Sequence, residues 1–180
     1  MSSTVAINQT DPRYWRFALA LCLDRLQAGQ EILVPFDIGE INESRSIELM
    51  ATGFQQAADV HFALVAIRNV LRILEDRVAK THDERLKTAL GEFRSASPDA
   101  WDLRDILEHL LDYEAGEGNL QKAGRMPADE HLPNLIYRST DASGEIVLLF
   151  NHEKRNIEIK AAALKAIEIA GELEAVERGE

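Results

Sequence analysis

The chain has 180 residues with a formal net charge of −11, 46% hydrophobic and 28% charged residues, and one cysteine. That composition belongs to a globular domain able to bury roughly 70% of its unfolded surface without staples, not to a disordered or disulfide-built chain. The acidic balance disfavours broad, non-specific binding to nucleic acid, which needs lysine and arginine against the phosphates, although it leaves room for a local basic cleft.

The opening MSSTVAINQTDP lacks the basic stretch and apolar core of a secretory leader. The longest strongly apolar run, Phe17 to Leu23, stops at Asp24, well short of the ~20 residues that span a bilayer. Cys22, flanked by Leu21 and Leu23, reads as a buried structural thiol. A cytoplasmic protein without membrane contact is expected.

Residues 1–10 read as a loose tail. Asp11-Pro12 is a helix start, aspartate as N-cap and proline at the first helical position, and the helix it opens is expected to close at Gly29. EILVPF, 31–36, is too short for a globular helix, and Pro35 makes it an edge strand or an extended connection. A second helical segment begins near Ser44, with continuation past Gly53 left open. The strongest periodicity runs from Gln56 to Ala79, where Val60, Leu64, Ile67, Leu71, Leu74 and Val78 form one seam and Ala63, Ala66, Val70 and Ile73 another. Together they make an apolar face roughly 160° wide, which suits a central helix or one shared between a core and a subunit interface. His61, Arg68, Arg72 and Glu75 fall on the opposite side.

Thr81-His82-Asp83-Glu84 matches a capping box ahead of a helix whose apolar positions are Leu86, Ala89, Leu90 and Phe93. Ser97-Pro98-Asp99 should cap the next helix, with serine at the N-cap, and its stripe is Leu103, Ile106, Leu107, Leu110 and Leu111. Beyond Gly116 and Gly118 the period changes. NLIYRST and EIVLLFN are β-rich runs joined by the turn signal DASG, NIEIK offers a third short strand, and an alanine-rich helix from Ala161 to Val176 closes the chain with Leu164, Ile167 and Leu173 inward. The expected fold is mainly α: a four- or five-helix bundle over 11–118, then a small C-terminal antiparallel hairpin or meander and a final helix, 119–180, packed on the bundle.

Most chemical signatures are missing. There is no phosphate loop, no HExxH and no nucleophile elbow; GEGNLQ lacks the third glycine of a dinucleotide fingerprint; no histidine has a glutamate three residues before it. No cofactor and no metal site are expected. His61 reads as a surface or interhelix histidine, His152, Lys154 and Arg155 as a solvated turn, and Trp15 and Trp101 as core or interface anchors.

The one constellation with chemical promise is RDILEH, in which Arg104 is followed by Asp105 and, four residues on, by His109. Asp105 and His109 can pair along a helix. Arg104 and His109 point about 140° apart, so they make a site only across two copies of the helix or against another element. Without such a partner the three are a solvated helix face. This pattern, on a late helix of an all-α bundle, resembles the HEPN superfamily over roughly residues 44–118. The resemblance implies a metal-independent endoribonuclease of the toxin or defence type, acting on RNA as a homodimer, sometimes with an antitoxin partner. His109 would be the general acid/base, Arg104 the stabiliser of charge on the phosphoryl group, and Asp105 the orienting residue. The same superfamily includes members that only mediate interactions, so a non-catalytic protein-interaction or scaffold module is the other reading. From Asp99 to Glu117 seven acids surround Arg104, so an RNA backbone needs added positive charge there, for which Arg68 and Arg72 are the candidates.

Overall fold

The computed structural model describes residues 10–32, 43–127, 137–140, 146–150 and 155–179. It is mainly helical. In chain order the elements are α1 (Pro12–Ile32), α2 (Glu43–Thr81), α3 (Glu84–Ala96), α4 (Ala100–Glu108), α5 (Leu110–Glu114), α6 (Asn119–Lys122), β1 (Tyr137–Thr140), β2 (Ile146–Phe150), β3 (Arg155–Glu158) and α7 (Ile159–Arg178). No helix among the described residues is long and apolar enough to cross a membrane.

The two helical segments read between Ser44 and Ala79 are one helix of 39 residues, about 58 Å long. It is central: α1, α3, α4 and α7 all pack on α2. That explains its broad apolar face. Val60, Ala63, Leu64, Ala66, Ile67, Val70, Leu71 and Leu74 are buried, and Ile73 and Val78 pack at the margin.

Helix α1 continues through Gly29 to Ile32, so Glu31 and Ile32 are helical rather than part of an extended segment; the remainder of EILVPF and the tail 1–9 lie outside the described residues. An Arg25–Asp59 pair at 3.1 Å joins its far half to α2, and an Arg16–Glu174 pair at 3.2 Å joins its near half to α7. Helix α1 therefore runs antiparallel to both. Trp15 is in the core, edge-on to Tyr14 at 4.8 Å, and Cys22 is buried as expected.

Helix α7 packs differently from its large apolar residues. Ile159, Ala162, Ala163, Ala166, Ile169, Ala170 and Leu173 face inward, whereas Leu164 is 51% exposed and Ile167 is marginal. Four small side chains let the α7 backbone approach α1 and α2 closely, and that close contact sets the helix rotation.

The caps differ as well. Asp83, not Thr81, is the N-cap of α3, its carboxylate accepting from the Arg85 N–H at 2.8 Å. Thr81 instead ends α2, its hydroxyl donating to the Arg77 carbonyl at 3.0 Å. His82 between them has φ 53, the left-handed conformation that reverses the chain. Ser97 belongs to the end of α3 and α4 begins at Ala100; the Ala100 N–H reaches the Ser97 carbonyl at 3.2 Å, so the SPD segment is a tight turn into α4.

The strands form an antiparallel sheet in the order β1-β2-β3, with Tyr137 opposite Leu149 and Val147 opposite Glu158. Strand β3 runs straight into α7 at Ile159, so NIEIK is half strand and half helix. The backbones of β2 and β3 lie against α7, and β3 also lies against α4. The sheet thus lies against the helix that carries most of RDILEH.

Candidate functional site

Helix α4 has Leu103 and Ile106 in the core. It does not extend through the motif: His109, at φ −120 and ψ 34, separates α4 from the five-residue α5. The Asp112 and Tyr113 N–H groups both donate to the His109 carbonyl, at 3.0 and 3.1 Å, starting a fresh turn. The break shifts the helical phase. Leu111, expected in the apolar stripe, is 78% exposed, while Tyr113, outside that stripe, is fully buried.

Each predicted site residue is engaged within the chain. Arg104 is half-buried and forms an ion pair with Glu108, one turn on. Its Nε is buried and has no hydrogen-bond partner among the described residues. Asp105 does not pair with His109. Its carboxylate accepts the Tyr113 hydroxyl at 2.6 Å and the Asn119 amide at 2.9 Å. His109 is exposed, and its Nδ1 lies 3.5 Å from the Asp112 carboxylate, an attraction that exists when the ring is protonated.

Arg68 and Arg72 separate. Arg68 reaches α4: its guanidinium lies 5.3 Å from the centre of the Trp101 ring and bonds Glu75 at 3.1 Å. Arg94 of α3 does the same, 5.7 Å from Trp101 and 2.7 Å from Glu75. Trp101 also meets Phe93 edge-on. Glu75 thus bridges two arginines, one on each carboxylate oxygen, around one indole, and Arg68 anchors α4 to α2 one turn before Arg104. Arg72 is exposed elsewhere, in a groove with Asp11, Arg13 and Arg77 where α1 begins and α2 ends.

A polar network missed in the sequence lies beneath the motif. The Tyr113 hydroxyl donates to Asp105 and accepts from the buried Leu120 N–H at 3.1 Å. Gln121, also buried, accepts from the Gly118 N–H at 2.7 Å and donates to the Tyr113 carbonyl at 3.1 Å. Arg125 grips Asp102 through both carboxylate oxygens, at 2.7 and 3.0 Å. Burial, reinforced by the Asp105 carboxylate, pushes the Tyr113 phenol up to about 12. These bonds fasten the turn 115–126 onto α4 and commit Asp105 to a structural role. The pair of glycines at 116 and 118 was the available signal for a tight return, but nothing in the sequence says which side chains it brings together.

Among the described residues no group of three or more histidine, cysteine or acidic side chains could hold a metal ion. The local chemistry on offer is therefore one exposed imidazole, one guanidinium held by a glutamate, and a carboxylate with a donor on each oxygen. No family model, curated protein or solved structure matches the chain, so RDILEH alone carries its resemblance to the HEPN superfamily.

Proposed function

We propose that the protein is a non-catalytic helical interaction module that self-associates through the outer face of α1. One observation carries this reading: Phe17 and Leu21, one turn apart, are 76% and 49% exposed. Large apolar side chains placed together on a helix face without intrachain cover are the mark of a contact surface. Charge supports a second copy as the occupant. The arginines of α1 are already paired, Arg13 with Asp11, Arg16 with Glu174 and Arg25 with Asp59, so two α1 faces meet with little uncompensated charge in a chain of net charge −11. Light scattering over a concentration series is the test. The wild type should dimerise, and Phe17→Asp combined with Leu21→Asp should be monomeric with an unchanged circular dichroism spectrum. A wild type that stays monomeric throughout overturns this reading.

A second reading, the HEPN-like metal-independent endoribonuclease, is favoured by a different surface. Leu111 is exposed directly beyond His109, and the Arg104 Nε has an unused proton. A homodimer built on α4 and α5 would bring His109 of one protomer toward Arg104 of its partner. His109 would then take the ribose 2′-hydroxyl proton as that oxygen bonds the adjacent phosphorus, the bond from phosphorus to the 5′-oxygen would break with the departing oxygen protonated from water, and Arg104, released from Glu108, would stabilise the phosphoryl charge. An antitoxin would act by covering that face. The two readings need different dimer faces. If Leu111→Asp rather than the α1 double variant disperses the dimer, and RNA is cleaved in chelator by wild type but not by His109→Ala, the ribonuclease reading replaces the first.

A further inference from the structure

Helix α1 alone is too small a face for the self-association proposed above. Phe17 and Leu21 are 76% and 49% exposed. Together they leave roughly 200–250 Å² of apolar surface open, whereas a stable interface takes about 800 Å² from each partner. The face has to continue onto a neighbour, and the neighbour is α2. The Arg25–Asp59 pair at 3.1 Å sets the two helices side by side at one level. Leu21 lies four residues before Arg25, about 40° round α1. Phe62, 41% exposed, lies three residues after Asp59, about 60° round α2. The helices are antiparallel, so both steps lead the same way along the bundle, and both turn outward from the buried Asp59. Leu21 and Phe62 therefore flank the α1/α2 seam as the two walls of an apolar socket.

The outer face of α1 is self-complementary. Arg13, Phe17 and Leu21 follow one another at i, i+4, and Asp24 comes one turn beyond Leu21. The Arg13 side chain is 69% exposed, although Asp11 holds its Nε and one Nη, and Asp24 is exposed. Cation, apolar, apolar, anion matches its own reverse. From this geometry we infer that two copies join α1 to α1 antiparallel, across a two-fold axis level with Leu19. Phe17 of each copy then enters the socket between Leu21 and Phe62 of the other, and Arg13 of each meets Asp24 of the other. The spacing agrees, since the intervals from Phe17 to Leu21 and from Arg13 to Asp24 share a midpoint to within half a residue. Asp24 decides the direction, because parallel copies would set exposed acid against exposed acid. The inference rests on the α1 reading and adds to it the second helix, the seat of Phe17 and the orientation.

Sedimentation equilibrium of the whole chain tests the geometry. Phe62→Asp should raise the dimer dissociation constant at least about tenfold with an unchanged circular dichroism spectrum. Asp24→Arg should weaken the dimer by about the same factor, because two contacts per dimer turn from attraction to repulsion, and Arg13→Asp added to it should bring the constant back to within about threefold of wild type. Asp24→Ala should weaken the dimer slightly. A wild type that stays monomeric overturns the α1 reading and this inference together. A wild-type dimer that Phe17→Asp with Leu21→Asp disperses, but that Phe62→Asp leaves intact or the double charge reversal fails to restore, overturns the inference alone. So does a dimer that Asp24→Ala tightens, since parallel copies would then be relieved of two facing acids.

Discussion

Replacing Tyr113 with phenylalanine removes one oxygen from the centre of the network under α4 and nothing else. The ring stays, so no cavity opens. Two bonds go: the 2.6 Å donation to Asp105 and the 3.1 Å acceptance from the Leu120 N–H. Asp105 is only half-buried, so water takes over its oxygen and that loss is partly offset. The Leu120 N–H is buried in its bond to Tyr113, and an orphaned buried donor costs about 1–3 kcal/mol. Together the loss should be about 2–3 kcal/mol, since bonds to a charged group are the stronger kind. For a chain of this size that lowers Tm by roughly 4–12 °C. Urea denaturation should show a lower midpoint with an unchanged m-value, and the Leu120 amide should exchange faster in Tyr113→Phe. The phenol also sets a pH signature. Its folded-state value, raised to about 12, exceeds the ordinary value near 10, so the folded state keeps its proton where the unfolded state loses it. The stabilisation is complete below about pH 10 and is lost as pH rises toward 12. Tyr113→Phe should lack that part of the alkaline decline. A variant within ~0.5 kcal/mol of wild type, or one with the same alkaline slope, would refute the assignment of Tyr113 as the fastening of this turn.

Gly118→Ala should be at least as damaging, because an added Cβ would lie 2.3 Å from two ring carbons of Tyr113; the turn has to open, and the expected readout is a Tm below that of Tyr113→Phe. Cys22 should resist alkylation in the native state: burial, with Asp59 adding to it, pushes its thiol up to about 11, so labelling rates should follow global unfolding measured by urea, and fast native labelling at neutral pH contradicts the buried placement. Asp83→Ala removes the α3 cap and should lower Tm at neutral pH. The Arg85 backbone N–H holds the Asp83 carboxyl below its ordinary value, so the cap's contribution is present above the ordinary carboxylate range and is lost as pH falls through the lowered one; the difference between wild type and variant should vanish in acid. His82→Gly should stabilise the chain by about 0.5–1 kcal/mol in chemical denaturation, since the φ of 53 there costs a side-chain-bearing residue and not glycine.

Periodicity made most of the helical framework legible. The seams of α2 and the apolar set of α3 could be read directly because each large apolar residue there meets a neighbour at ordinary helix spacing, and burial follows hydrophobicity. In α7 the same logic misplaced Leu164. Alanine carries little weight in a hydrophobic pattern but permits the closest backbone approach, and which face approaches depends on the partner helices. The functional motif was legible only as a spacing. An i, i+4 relation allowed Asp105 to pair with His109, but it could not weigh that pair against Tyr113 and Asn119, eight and fourteen residues from Asp105. Nor could it foresee that α4 would end at Glu108.

By itself the sequence determined a mainly helical chain, the position of its central helix, the reduced and buried cysteine, and the want of any recognised metal or phosphate signature, because those follow from composition and local spacing. Tertiary structure alone decided the roles of the polar residues. Arg68 is committed to Trp101 and Glu75, Arg104 to Glu108, Asp105 to Tyr113 and Asn119, and Leu21 and Phe62 share one surface only where α1 and α2 lie together. A charged side chain has many partners it could reach along its own helix, and the one it takes is set by desolvation and by which elements the core brings near.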